Sequence, residues 1–243
     1  MKQIDVLPDE VLLEIFDFYV DPSYKVPSNT LNRSKTVVET WQSLIHVCRR
    51  WRSLVFRSPR RLNLRLCCTP ETPTRDTLDV WPPLPLIIHG NITSSSGTDN
   101  IIAALGQSNR VCQIFLWSNN DEQFGKILVA MQVPFPELTD LALYSFSFMS
   151  TPLIPASFLG VGGSALPLRF VTLCSIPYPG LPNLLLSTTH LIELNLTGFH
   201  HSGYISPGAI VALISELTSL ETLSLNSHPL NPALTGKAKV DLH

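Results

Sequence analysis

The sequence predicts an α/β chain: a charged helical module at the N-terminus, then a short irregular solenoid of strands and return segments. Apolar residues recur at helical spacing near the N-terminus, from Leu7 to Val55. A six-residue pattern, apolar-x-x-apolar-x-apolar, then recurs as far as Leu225. Charge divides in the same way: residues 1–61 carry ten Lys/Arg and seven Asp/Glu, whereas the other 182 carry seven and twelve. At 243 residues and 44% hydrophobic content the chain can bury a substantial core. The spans expected are a helical module over 1–61, a strand-repeat region over 62–226 and a disordered tail over 227–243.

In "IDVLPDEVLLEIFDFYV" the residues Ile4, Leu7, Val11, Leu12, Ile15, Phe16 and Tyr19 follow the three-and-four period of an amphipathic helix. Pro8 suits a first helical position because its missing N–H would be an orphan there. Asp9 and Glu10 suit the positive end of the helix dipole. A polar loop from Asp21 to Lys35 follows. From Ser34, a candidate N-cap, Val37, Trp41, Leu44, Cys48, Trp51 and Val55 predict one long helix or two in tandem. Six arginines lie between Arg49 and Arg61. Most of them fall away from the Trp41/Leu44/Cys48/Trp51 stripe and are expected to form the solvated back of a core helix. No aromatic platform or second basic stripe accompanies them, and the chain is slightly acidic overall, so nucleic acid is not the expected partner.

The strand pattern appears as "LTDLAL", "LRFVTL", "LIELNL" and "LETLSL", starting at Leu138, Leu168, Leu191 and Leu220, with looser copies at Trp81 and Val111. Successive starts are 30, 27, 30, 23 and 29 residues apart, near the spacing of leucine-rich repeats, in which a short strand lines one face and a helix or irregular segment returns behind. "TDNIIAALGQ", "DEQFGKILVAM" and "SPGAIVALISEL", the last with Ser206 as N-cap, are expected return helices. Residues between the apolar strand positions share the open face. These are Gln113, Phe115 and Trp117, then Asp140 and Tyr144, then Phe170 and Thr172, then Glu193 and Asn195. Phe115, Trp117, Asp140, Tyr144, Phe170 and Glu193 are the candidate substrate-binding residues. Only the Val111 copy keeps the repeat asparagine, as Asn119. After Leu225, Pro229, Pro232 and Gly236 break any period, so the strand near Leu223 is expected to be an exposed edge.

Other chemistries find little support. The five cysteines, Cys48, Cys67, Cys68, Cys112 and Cys174, are odd in number and lack C-x-x-C spacing, which suggests reduced thiols with neither disulfide framework nor zinc site. Residues 141–192 hold one charge, Arg169, but six prolines interrupt them, so no membrane span is expected. The acidic residues near the N-terminus do not suit a signal peptide, and an intracellular chain, cytoplasmic or nuclear, is expected. "GVGGS" at 160–164 lacks dinucleotide-loop spacing, and the adjacent His200 and His201 cannot act as an i, i+4 metal pair. No enzyme, metal or cofactor is expected.

"LPDEVLLEIF" (7–16) followed by "LIHVCRRWRSLV" (44–55) resembles the F-box, and "WQSLIHVCRRWRSLVFRSPRRLNLRL" resembles the large F-box group of mushroom-forming fungi. The Asp21–Lys35 loop is longer than the family's usual connection. The resemblance implies a three-helix F-box module followed by the short irregular leucine-rich-repeat-like solenoid. It also implies a substrate-recognition subunit of a cullin–RING ubiquitin ligase, binding a Skp-type adaptor and, through it, a cullin, with an unknown protein substrate. Carried over by position, Leu7, Pro8, Glu10, Leu12, Ile15, Leu44 and Val47 would form or support the adaptor face, while Trp41, Cys48, Trp51 and Leu54 would pack the module. The alternative is an interaction scaffold working outside any ligase.

Overall fold

The computed structural model describes residues 7–20, 40–146, 153–155, 157–160, 165–198, 213–226 and 239–241. The chain divides into two compact units, Met1–Cys67 with Asp79–Pro85, and Cys68–Leu78 with Leu86–His243.

Among the described residues of the first unit are the helices α1 (Asp9–Tyr19), α2 (Thr40–Ile45) and α3 (Arg49–Arg57). Pro8 precedes α1, and Asp9 and Glu10 occupy its first turn, where their charge meets the orphan N–H groups. Cys48 breaks the run expected from Ser34, which itself lies outside the described residues. Its backbone is extended and its sulfur accepts from the Trp51 N–H at 3.5 Å, capping α3 and separating it from α2. Phe16 meets Trp51 edge-on at 4.7 Å, and Trp41, Phe56 and Trp81 form a second ring cluster with centroids 5.5–6.3 Å apart. The Trp41 indole N–H donates to the Arg65 carbonyl at 3.1 Å.

The second unit is built on strands β2 (Leu86–Ile92), β3 (Val111–Ser118), β4 (Asp140–Ser145), β5 (Phe170–Cys174), β6 (Glu193–Thr197) and β7 (Thr222–Asn226), each paired in parallel with the next. With β1 (Leu66–Cys68) and β8 (Lys239–Asp241) they make one eight-stranded sheet in chain order, β8 running antiparallel to β7. Helices α4 (Thr74–Val80), α5 (Ser95–Leu105), α6 (Asp121–Ala130) and α7 (Leu181–Leu186) fall between strands. Ile88, Ile114, Leu116, Leu143, Val171 and Leu194 are buried on one sheet face, as are Ile101, Leu105, Phe124 and Ile127 of α5 and α6. That burial places the core between this face and the crossover helices.

The repeat asparagine was expected to be Asn119, but Asn119 is exposed and its neighbours do the structural work. The buried Ser118 hydroxyl lies 2.8 Å from the Ile92 carbonyl and accepts from the Asn120 N–H at 2.9 Å; the Asn120 side chain caps α6 by accepting from the Gln123 N–H. Gly90 is dictated by contact: a Cβ there would stand 2.3 Å from Cδ of Pro70.

The expected arrangement, a three-helix F-box module and then a short irregular leucine-rich-repeat-like solenoid, is overturned by this α/β fold. The first unit is not three helices alone, since it takes in Leu62, Leu64 and the Trp81 segment, whose ring packs on Trp41 and Phe56. The remainder is a continuous hydrogen-bonded sheet with strands of up to eight residues, not a set of irregular units. Trp81, expected in a strand, precedes β2 because Pro82, Pro83 and Pro85 supply no N–H for a ladder. Nor is β7 the edge expected near Leu223, since Leu223 pairs with Val240. The expectations for Asp21–Lys35, Ser206, His200, His201 and residues 227–238 lie outside the described residues, as does most of "GVGGS".

Candidate functional site

On α1 the apolar residues divide into two stripes. Leu12, Leu13 and Phe16 are buried, whereas Val11, Ile15, Phe18 and Tyr19 are exposed, Phe18 at 92% and Ile15 at 46%. Val47, in the turn between α2 and α3, is 56% exposed. Among the residues expected at an adaptor face, Pro8, Glu10, Ile15 and Val47 lie on the surface and Leu7 is half-buried. Leu12 and Leu44 are core residues at 1% and 5% exposure. Trp41 and Leu54 are buried and Trp51 is half-buried, but Cys48, expected to pack the module, is exposed at its cap position. Val11 and Phe18 were missed as surface residues; their offsets from Ile15, four before and three after, carried the signal.

The arginines are partly engaged. Arg50 pairs with Asp9 at 2.7 Å and donates to the Leu7 carbonyl, so it holds the entry to α1. Arg61 reaches Glu14 and Asp17 on the same helix. The Arg52 Nε donates to the Ile45 carbonyl at 3.0 Å, satisfying an orphan acceptor at the end of α2. Arg49, Arg57 and Arg60 are exposed.

The second surface is the sheet face opposite the buried one. Register alignment sets three rows across β2 to β7. The first is Ile87, Gln113, Asp140, Phe170, Glu193 and Thr222; the second His89, Phe115, Ala142, Thr172, Asn195 and Ser224; the third Asn91, Trp117, Tyr144, Cys174, Thr197 and Asn226. All six candidate substrate-binding residues lie on this face. Phe115, Trp117, Asp140, Tyr144 and Glu193 are half-buried and Phe170 is exposed.

His89, which sequence reasoning missed although it alternates with Ile88 in "IIHGN", stands edge-on to Trp117 at 5.0 Å and tilted to Phe115 at 6.4 Å. Burial pushes its imidazole below the usual histidine range, so it is neutral near pH 7. Tyr144 stacks on Phe146 and hydrogen-bonds Thr172; burial first, then the charges of Cys174 and Glu193, push its phenol upward. Asp140 accepts from the Gln113 amide at 3.2 Å and from the Thr139 hydroxyl at 2.5 Å. The side-chain oxygens of Gln113 and Asn195 are buried without a hydrogen-bond partner. Such a face suits recognition by aromatic contact and hydrogen bonding.

Among the described residues, no group of three or more His, Cys, Asp or Glu could hold a metal ion, and no helix is long and apolar enough to cross a membrane. No family model, curated protein or solved structure matches the chain.

Proposed function

We propose that this chain is a substrate-recognition subunit of a cullin–RING ubiquitin ligase. The N-terminal unit docks on a Skp-type adaptor, and the open sheet face holds a protein substrate. The observation that supports it most is the outward stripe of Pro8, Val11, Ile15 and Phe18, together with Val47. The inward stripe already supplies the unit's core, so the outward residues contribute nothing to folding that water does not oppose. Apolar anchors at helical spacing on a surface are what a groove-binding helix requires. They lie within the segments that resemble an F-box.

Ile15→Asp with Val47→Asp tests this. Both positions are exposed, so the fold should survive, while adaptor binding should weaken by about 2–4 kcal/mol, roughly thirty- to a thousandfold. Titration of the purified chain with a Skp-type adaptor measures it. Binding by the variant as strong as by the parent, or no binding by the parent, would overturn the reading.

A further inference from the structure

We propose that the open face of the sheet takes an extended segment of a partner protein bearing a lysine or arginine beside an apolar side chain, the cation lodging between Asp140 and Glu193. The inference rests on the sheet being the cargo surface, and does not depend on what α1 binds.

Charge comes first. Asp140 and Glu193 are the only charged side chains in the three rows, they flank Phe170, and neither is ion-paired among the described residues. Two strand spacings, about 10 Å, separate their strands, with Phe170 between them, so a cation over that ring feels the field of both carboxylates without having to touch both. The chain itself shows what Phe170 attracts: the Arg169 guanidinium lies 5.9 Å from the centre of its ring. Arg169 makes no ion pair among the described residues, so it is a neighbouring cation that an incoming one must displace or share the site with.

Unused hydrogen-bonding capacity has the same sign. The Gln113 amide nitrogen donates to Asp140, which fixes the amide's orientation and leaves its buried oxygen as an acceptor. The Asn195 side-chain oxygen is a second buried acceptor without a partner. Both oxygens are closed to solvent in this arrangement, so a ligand's donor meets them only after the side chains turn outward; when they do, a donor answers them and an anion does not. Shape defines the apolar part. Ala142, on β4, is the smallest side chain among Phe115, Asp140 and Tyr144 and is buried beneath its neighbours, so the surface there is formed by the rings around it. An apolar side chain resting on Phe115 lies one row from the carboxylates.

The test uses the full chain and three fluorescein-labelled peptides, each with three copies of Lys-Gly-Phe-Gly, Gln-Gly-Phe-Gly or Glu-Gly-Phe-Gly, read by anisotropy. The lysine peptide should bind at least about tenfold more tightly than the glutamine one, with added salt narrowing the gap. Asp140→Asn with Glu193→Gln, which keeps side-chain shape, should erase that preference, bringing the lysine peptide to the affinity of the glutamine peptide measured on the same variant. Arg169→Ala should strengthen lysine-peptide binding. Charge-blind binding that Trp117→Ala with Tyr144→Ala abolishes would overturn the inference and leave the cargo surface standing. No peptide binding, or preference for a single-stranded oligouridine, would overturn both.

Discussion

Ile15 and Phe16 are neighbours on α1 with opposite fates, and their truncation offers a sharp stability test. Phe16 is fully buried and meets Trp51 edge-on, whereas Ile15 is nearly half exposed. Phe16→Ala should cost about 3–5 kcal/mol for lost transfer and cavity, with the aromatic pair adding about 1 kcal/mol. A domain's stability is about 5–15 kcal/mol, so the variant should stand near its unfolding threshold at room temperature. Ile15→Ala should cost well under about 1 kcal/mol, as surface truncations do. Three of the four tryptophans, Trp41, Trp51 and Trp81, belong to this unit, so urea unfolding followed by tryptophan fluorescence reports on it directly. Equal losses for the two variants, or a loss under about 1 kcal/mol for Phe16→Ala, would refute the division of α1 into inner and outer stripes.

Tyr178 has a buried hydroxyl without a hydrogen-bond partner, so Tyr178→Phe should stabilise by up to about 1 kcal/mol in urea titration at pH 7; a clear loss would mean that the hydroxyl is satisfied. Burial also pushes this phenol up to about 12, from 10.0; stability should therefore decline as pH rises from 10 towards 12, and less steeply in the Phe variant. His89 is shifted in the opposite sense. Below its ordinary value of 6.5 the unfolded chain takes up a proton that the folded chain resists, so the melting temperature should drop between pH 7 and 5, and His89→Gln should flatten that slope. A parent and variant with parallel pH profiles would show that His89 is freely solvated.

The strands of the second unit were legible because their signal is local. Ile114 and Leu116, Leu141 and Leu143, and Leu194 and Leu196 alternate with half-exposed neighbours, and period two follows from backbone geometry. The residue content of the open face was legible for the same reason. What failed depends on distant partners. Nothing near Trp81 announces that its ring packs on Trp41, and nothing near Gly90 announces Pro70. β1 and α4 went unseen because they are short, three and seven residues, too few to show a period. The two stripes of α1 were merged because three-and-four spacing identifies apolar residues without saying how wide a sector the core covers. Cys48 was placed in the core because a thiol on the apolar stripe looks like a small hydrophobe, while its extended backbone makes it a cap.

The arginine cluster follows from the same limit. A helical wheel assigns Arg49, Arg50, Arg52 and Arg57 to solvent, and for an isolated helix that would be right. In the folded unit, Arg50 and Arg52 instead close two helix ends, one at the Leu7 carbonyl and one at the Ile45 carbonyl, and Arg61 bridges two acidic residues of α1. Exposed ion pairs contribute little stability, so their value here lies in geometry: they set where α1 begins relative to α3. Pro8, Val11 and Ile15 are exposed on and beside the helix that these contacts anchor. The basic residues expected to be only a solvated helix back therefore include two, Arg50 and Arg61, that tie down α1, the helix whose outward stripe carries the proposed docking.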